Sequence, residues 1–141
     1  MSRPIQCLAS LLALFAAVVT QPLQASGQTF GDQKITVCVS FPNGTTKCTS
    51  VSQTEVERLT GQRPVYMLLP WVVAALQKLG LAHSTETDTK GVKIITIAGV
   101  ANGPQGEWVY SANGFPSPYH LNTQTIEDIT RVSFSYRART P

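Results

Sequence analysis

Ile35-Thr36-Val37-Cys38-Val39-Ser40-Phe41-Pro42-Asn43-Gly44-Thr45-Thr46-Lys47-Cys48 carries the clearest structural signal in the chain. Ile35, Val37, Val39 and Phe41 fall on one face and Thr36, Cys38 and Ser40 on the other, the two-residue period of a half-buried strand. Pro42-Asn43-Gly44 then supplies turn chemistry: Pro fixes φ, Asn favours turning, and Gly takes a left-handed closing position. A three-residue loop at 42–44 sets Phe41 opposite Thr45, and counting back sets Cys38 opposite Cys48. Cysteines that meet directly across a non-hydrogen-bonded pair are within bridging reach. A disulfide there closes a short loop and contributes about 2–3 kcal/mol. It reads as a structural staple on the polar face of the hairpin. The rival reading is a redox-active or metal-binding pair. No CxxC spacing and no neighbouring histidine accompany it, which argues against a metal site.

Downstream, Ser52 and Glu55 have capping-box spacing, and Gly61 suits the end of a short helical turn. Pro70 fits the first turn of a helix over about 69–80, where its missing N–H costs nothing. Val72, Ala75, Leu76 and Leu79 follow at helical spacing, with Gly80 as cap and Trp71 expected at the margin. Ala82–Gly91 is polar with both charge signs and reads as a surface loop. Val92–Ala98 is β-branched and reads as a buried strand; Gly99–Gly106 reads as a turn or flexible loop. Glu107–Ala112 is a strand with Trp108, Tyr110 and Ala112 on one face. Asn113-Gly114 signals a turn, and Pro116-Ser117-Pro118 is irregular. Arg131–Arg137 is a last strand presenting Val132, Phe134 and Tyr136. The order predicts an α+β domain: an N-terminal hairpin and one helix packed on a mixed sheet of about five strands.

Upstream, residues 1–25 read as a signal peptide, leaving 26–141 as a single domain. Arg3 supplies the positive start, Leu8 to Val19 the apolar stretch, and Ala25 a small residue at the cleavage point. The alternative is an uncleaved N-terminal anchor. The reading places the protein in the periplasm or outside the cell, where a disulfide is favoured. No membrane span is expected after residue 25. Of the 141 residues 43% are hydrophobic and 13% charged, enough to fill a core and too few charges for a disordered chain. Eleven cations against eight acids give a net charge of +3. The cations are scattered singly, which excludes a nucleic-acid footprint.

The run Gly91-Val92-Lys93-Ile94-Ile95-Thr96-Ile97-Ala98-Gly99, then Glu107-Trp108-Val109-Tyr110-Ser111-Ala112-Asn113-Gly114, then Val132-Ser133-Phe134-Ser135-Tyr136, resembles the transcobalamin C-terminal-like domain. The helix ending Ala75-Leu76-Gln77-Lys78-Leu79-Gly80 is similar to the family's helix. The resemblance covers about residues 34–137 and rests mainly on Trp-x-Tyr-x-x-Asn-Gly. It implies a β-grasp fold and a flat, partly aromatic surface that covers one face of a corrinoid. On this chain the matching positions are Trp108, Tyr110, Asn113 and Gly114, with Tyr119 and His120 in the adjacent loop. Ile129-Thr130 stands where the family commonly has a Gly-Asp turn. The larger helical domain that encloses the ligand in such carriers has no counterpart in this sequence.

Three function classes compete. The first is an exported, non-catalytic binding module for a corrinoid or another small amphipathic ligand, through Trp108, Tyr110, Asn113, Gly114 and Tyr119. Against it, Trp108 and Tyr110 suit a core and Asn113-Gly114 a plain turn. The second is an envelope or extracellular interaction module acting through a sheet edge. Thr45–Val51, with four Ser/Thr and one Lys, suits such an edge. The third is an enzyme, disfavoured because His83 and His120 lie in no nucleophile motif and the adjacent Glu127-Asp128 suits a solvated turn. No cofactor is expected, a corrinoid entering only as ligand, and no metal site; His120 as a cobalt ligand is a remote option.

Overall fold

The alternating segment at the start of the domain forms the hairpin its pattern dictates. In a computed structural model, which describes residues 33–61 and 67–139, β1 (Lys34–Ser40) pairs antiparallel with β2 (Thr46–Ser52). Cys38 lies opposite Cys48, and the two are disulfide-bonded with Cα atoms 4.0 Å apart. Phe41 N donates to Thr45 O at 2.8 Å, and Gly44, at φ 89°, donates to Phe41 O at 3.0 Å. Ile35, Val37 and Val39 are fully buried. Cys38 faces the opposite side, yet is buried as well. The signal-peptide reading of residues 1–25 lies outside the described residues.

β2 runs straight into α1 (Gln53–Thr60). Ser52 Oγ accepts from Glu55 N at 3.3 Å and Glu55 Oε1 from Ser52 N at 3.3 Å, so the capping box is complete. Gly61 closes the helix in the left-handed region. The expected short turn is thus a full helix of eight residues. α2 (Leu69–Lys78) follows with Pro70 in its first turn. Glu55 and Lys78 tie the helices together at 2.7 Å. Trp71, expected at the margin, is the largest fully buried side chain. α1 packs along α2 in addition to β1 and β2, so a second flank of α2 is covered. The Trp71 Nε1 finds no hydrogen-bond partner among the described residues.

The remaining strands are β3 (His83–Asp88), β4 (Gly91–Ile97), β5 (Val100–Ala101), β6 (Gly106–Ala112), β7 (Phe115–Pro116) and β8 (Arg131–Ala138). A five-stranded sheet runs β2-β1-β8-β6-β7, with β1 parallel to β8 and the other neighbours antiparallel. A hairpin whose first strand lies beside the last strand is the β-grasp arrangement, so the α+β expectation holds. Val37, Val39, Val132 and Phe134 share the helix-covered face through the β1–β8 register. A second sheet, β3-β4-β5, was not expected. The polar stretch 82–91 is no loop: β3 pairs along β4. Its residues are nearly all exposed, so it lacks the alternation that marks a half-buried strand. Backbone pairing holds it, with Glu86 set opposite Lys93. In β4 only Ile94 and Ile97 are buried. Among the described residues no helix is long and apolar enough to cross a membrane.

Candidate functional site

The Trp-x-Tyr segment lies on β6, whose one side pairs with β8 and whose other side is left largely open by the two-residue β7. Trp108 uses that open side for structure. Its backbone N donates to Asn102 Oδ1 at 2.7 Å and its indole Nε1 to Val100 O at 2.7 Å. Its ring meets Phe41 and Tyr136 edge-on, with centroids 5.8 and 5.3 Å apart. It is 7% exposed and mostly a core residue. Tyr110 is half-buried over Phe134, with ring centroids 5.6 Å apart. Its hydroxyl donates to the carbonyl of Tyr119. Burial pushes that hydroxyl above the usual phenol range, so it stays protonated and able to donate.

The segment after β7 is stitched to both neighbours. Ser117 N donates to Tyr110 O at 3.3 Å on the β6 side. On the β4 side, Leu121 N donates to Val92 O at 3.1 Å and Val92 N to Asn122 Oδ1 at 2.8 Å. Gly91 allows this approach, because a Cβ there would collide with the Asn122 amide oxygen and the His120 side chain. Between β4, β6 and this loop lies a cleft of about 400 Å³. Trp108, Tyr110, Tyr119 and Phe134 supply aromatic lining, while Lys93, His120 and Arg137 supply basic groups. Among the described residues no Asp or Glu lines it. Their acidic neighbours stand outside: Glu107 lies 3.3 Å from Arg137, Glu86 3.9 Å from Lys93, and Asp88 3.3 Å from His120 Nε2. The Lys90 backbone N–H, aided by His120, holds the Asp88 carboxyl below the usual range.

The cleft therefore gathers Trp108, Tyr110 and Tyr119 and leaves Asn113 and Gly114 outside its lining. Those two form a tight turn with both residues in the left-handed region, φ 51° and 86°. The Asn113 side chain also acts as a latch. Its Nδ2 donates to Asp128 O at 2.6 Å, and its Oδ1 accepts from Thr130 N at 2.9 Å and Arg131 N at 3.1 Å. Glu127 and Asp128 are exposed, as a solvated turn requires. Lys93, Phe134 and Arg137 were not singled out from sequence as site residues; they belong to β4 and β8, and only the tertiary fold brings them to β6. Among the described residues no group of three His, Cys, Asp or Glu could hold a metal ion. Ser117 Oγ donates to Gln124 Oε1 at 2.8 Å.

No protein-family model matches the chain, and no curated protein matches it in sequence. The fold has relatives among solved structures. One is a proposed metal-binding protein from Ruminococcus gnavus ATCC 29149, at TM-score 0.57 and 14% identity, covering 77% of this chain and all of that one. Another is haptocorrin in complex with Cbi, at TM-score 0.52 and 13% identity. That match covers 77% of this chain and 26% of the haptocorrin chain, so this chain corresponds to about a quarter of it. At such identities the likeness extends to the fold alone.

Proposed function

We propose that the chain is an exported, non-catalytic binding module whose cleft takes a small amphipathic molecule. The ligand presents a flat apolar part to Tyr110 and Tyr119 and an anionic edge to Lys93. The observation that carries this reading is the lining itself: the aromatic residues Trp108, Tyr110, Tyr119 and Phe134 and the basic residues Lys93, His120 and Arg137, with no Asp or Glu in the lining among the described residues. Its volume falls in the range of small-molecule sites, roughly 300–1,000 Å³. The disulfide supports export, since such bonds persist in oxidising compartments. Residues 1–25 are then the signal peptide. A corrinoid is one candidate ligand, supported by the Trp-x-Tyr-x-x-Asn-Gly resemblance and by the fold shared with haptocorrin. By itself a β-grasp domain covers one face of so large a ring, so its affinity is weak unless a partner completes the site.

Equilibrium dialysis of the oxidised protein against cyanocobalamin, a second corrinoid and 1-naphthoate tests this reading. Retention that falls in Tyr119→Ala and in Lys93→Gln, with folding intact, supports it. Tyr119 is 58% exposed, so its removal leaves the core untouched. Absence of retention of all three at high micromolar concentration contradicts it. A second reading rests on β2, an outer strand of the five-stranded sheet with Thr46, Lys47 and Ser50 exposed. It would accept a strand from an envelope partner. Co-purification of one protein that is lost on replacing Ser50 with Pro favours that alternative.

A further inference from the structure

The Cys38–Cys48 disulfide is asymmetric. Cys38, on the inner strand β1, is 2% exposed, whereas Cys48, on the outer strand β2, is exposed. The two sulfurs also differ in electrostatic surroundings. Arg131 on β8, the strand on the far side of β1, donates Nη2 to Cys38 Sγ at 3.1 Å. No carboxylate pairs with Arg131 among the described residues. One cysteine is therefore exposed to solvent, and the sulfur of the other sits beside a cation with no carboxylate partner among the described residues.

We propose that Cys48 is a site of thiol–disulfide exchange with small thiols of the glutathione class, and that Arg131 makes Cys38 the leaving group. The incoming thiolate forms a bond to Cys48 Sγ with its own electron pair. The Cys38–Cys48 bond breaks, and its electron pair departs on Cys38 as a thiolate beside the Arg131 guanidinium. The products are a mixed disulfide on Cys48 and a free Cys38 thiolate. The reverse step, attack of Cys38 on Cys48, expels the small thiol and restores the bridge. No net oxidation occurs in either direction. A neighbouring cation lowers a thiol's pKa, and a lower-pKa thiol leaves faster. β1 keeps its seven-pair register with β2 and its parallel pairing with β8, so opening the bridge does not require the sheet to come apart. The inference is independent of the cleft.

The test uses the oxidised full chain carrying Cys7→Ser, so that only this pair reacts. It is exposed to reduced glutathione, quenched with N-ethylmaleimide and mapped by peptide mass spectrometry. The expected result is glutathione on Cys48 and maleimide on Cys38. Arg131→Gln is expected to slow adduct formation roughly fivefold or more, and Arg131→Lys to keep most of the rate. Glutathione mainly on Cys38, equal labelling of the two cysteines, no adduct at all, or an Arg131→Gln rate equal to that of the unaltered protein would each overturn the proposal. The site of the adduct is read in the unaltered pair, so the test stands even where an Arg131 variant folds poorly.

Discussion

The hairpin side and the cleft side of the domain are held together by different means. On the hairpin side, β1, β2, α1 and α2 rely on alternation, a complete capping box and dense apolar packing around Val37, Val39, Val72 and Leu76. On the cleft side, single polar side chains reach distant backbone. Asn102 holds β6, Asn113 holds the approach to β8, Asn122 holds β4, and the Tyr110 hydroxyl holds the 119 carbonyl. Apolar packing fixes the first side collectively. On the second, these polar anchors add to the burial of Ile97, Trp108, Leu121 and Ile129 and hold the loop that borders the cleft. Binding surfaces commonly sit on such loops over a rigid scaffold.

The largest expected effect comes from the packed side. Leu76→Ala leaves a cavity in the core and should cost about 2–5 kcal/mol, read as a lowered denaturation midpoint. If it costs less than half a kilocalorie, the hairpin side is not the stabilising half. A smaller and more local effect is expected from Asn113→Gly. That change keeps the left-handed turn but removes the latch, at about 1–3 kcal/mol. Hydrogen exchange should speed up at Thr130 and Arg131 and stay unchanged in β1 and β2. Uniform acceleration across both sheets would erase the distinction between the two sides.

The smallest effects separate the sides by pH. The Lys78 ammonium beside Glu55, together with the Ser52 backbone N–H, holds the Glu55 carboxyl below its ordinary range. A depressed folded-state pKa gives stability that is present above the unfolded value and lost as pH falls through the folded one. Acid should therefore loosen the α1–α2 contact first. Tyr110 behaves oppositely. Its pKa is raised by burial, so the fold favours the protonated form, and that contribution falls as pH rises past the ordinary phenol value near 10. Base should loosen the 117–121 loop first. Amide spectra recorded at both extremes check the pair, and the same residues shifting at both ends would contradict it.

What was legible in the sequence follows the same division. The hairpin, its 42–44 loop and the Cys38–Cys48 register were readable because alternation and turn chemistry are local signals. Asn113-Gly114 was readable as a turn for the same reason. The latch was not, since its partners lie 15–18 residues away and any polar side chain could have made it. β3 escaped because both its faces are polar and its pairing is carried by the backbone. Trp71 is buried, not marginal, because tertiary packing closes over its flank of α2, which helical spacing does not encode. In the cleft, Trp108, Tyr110 and Tyr119 came from one recognisable stretch of chain. Lys93, Phe134 and Arg137 came from separate strands that nothing in their local sequence ties to it.

The central claim is that the aromatic, cation-lined cleft is the binding surface. Amide chemical-shift mapping of the isotope-labelled, oxidised protein titrated with 1-naphthoate tests it directly. Saturable shifts confined to 92–94, 108–111 and 117–121 are expected, weaker for the uncharged 1-naphthalenemethanol. Shifts gathered along β2, or none at millimolar ligand, would contradict it.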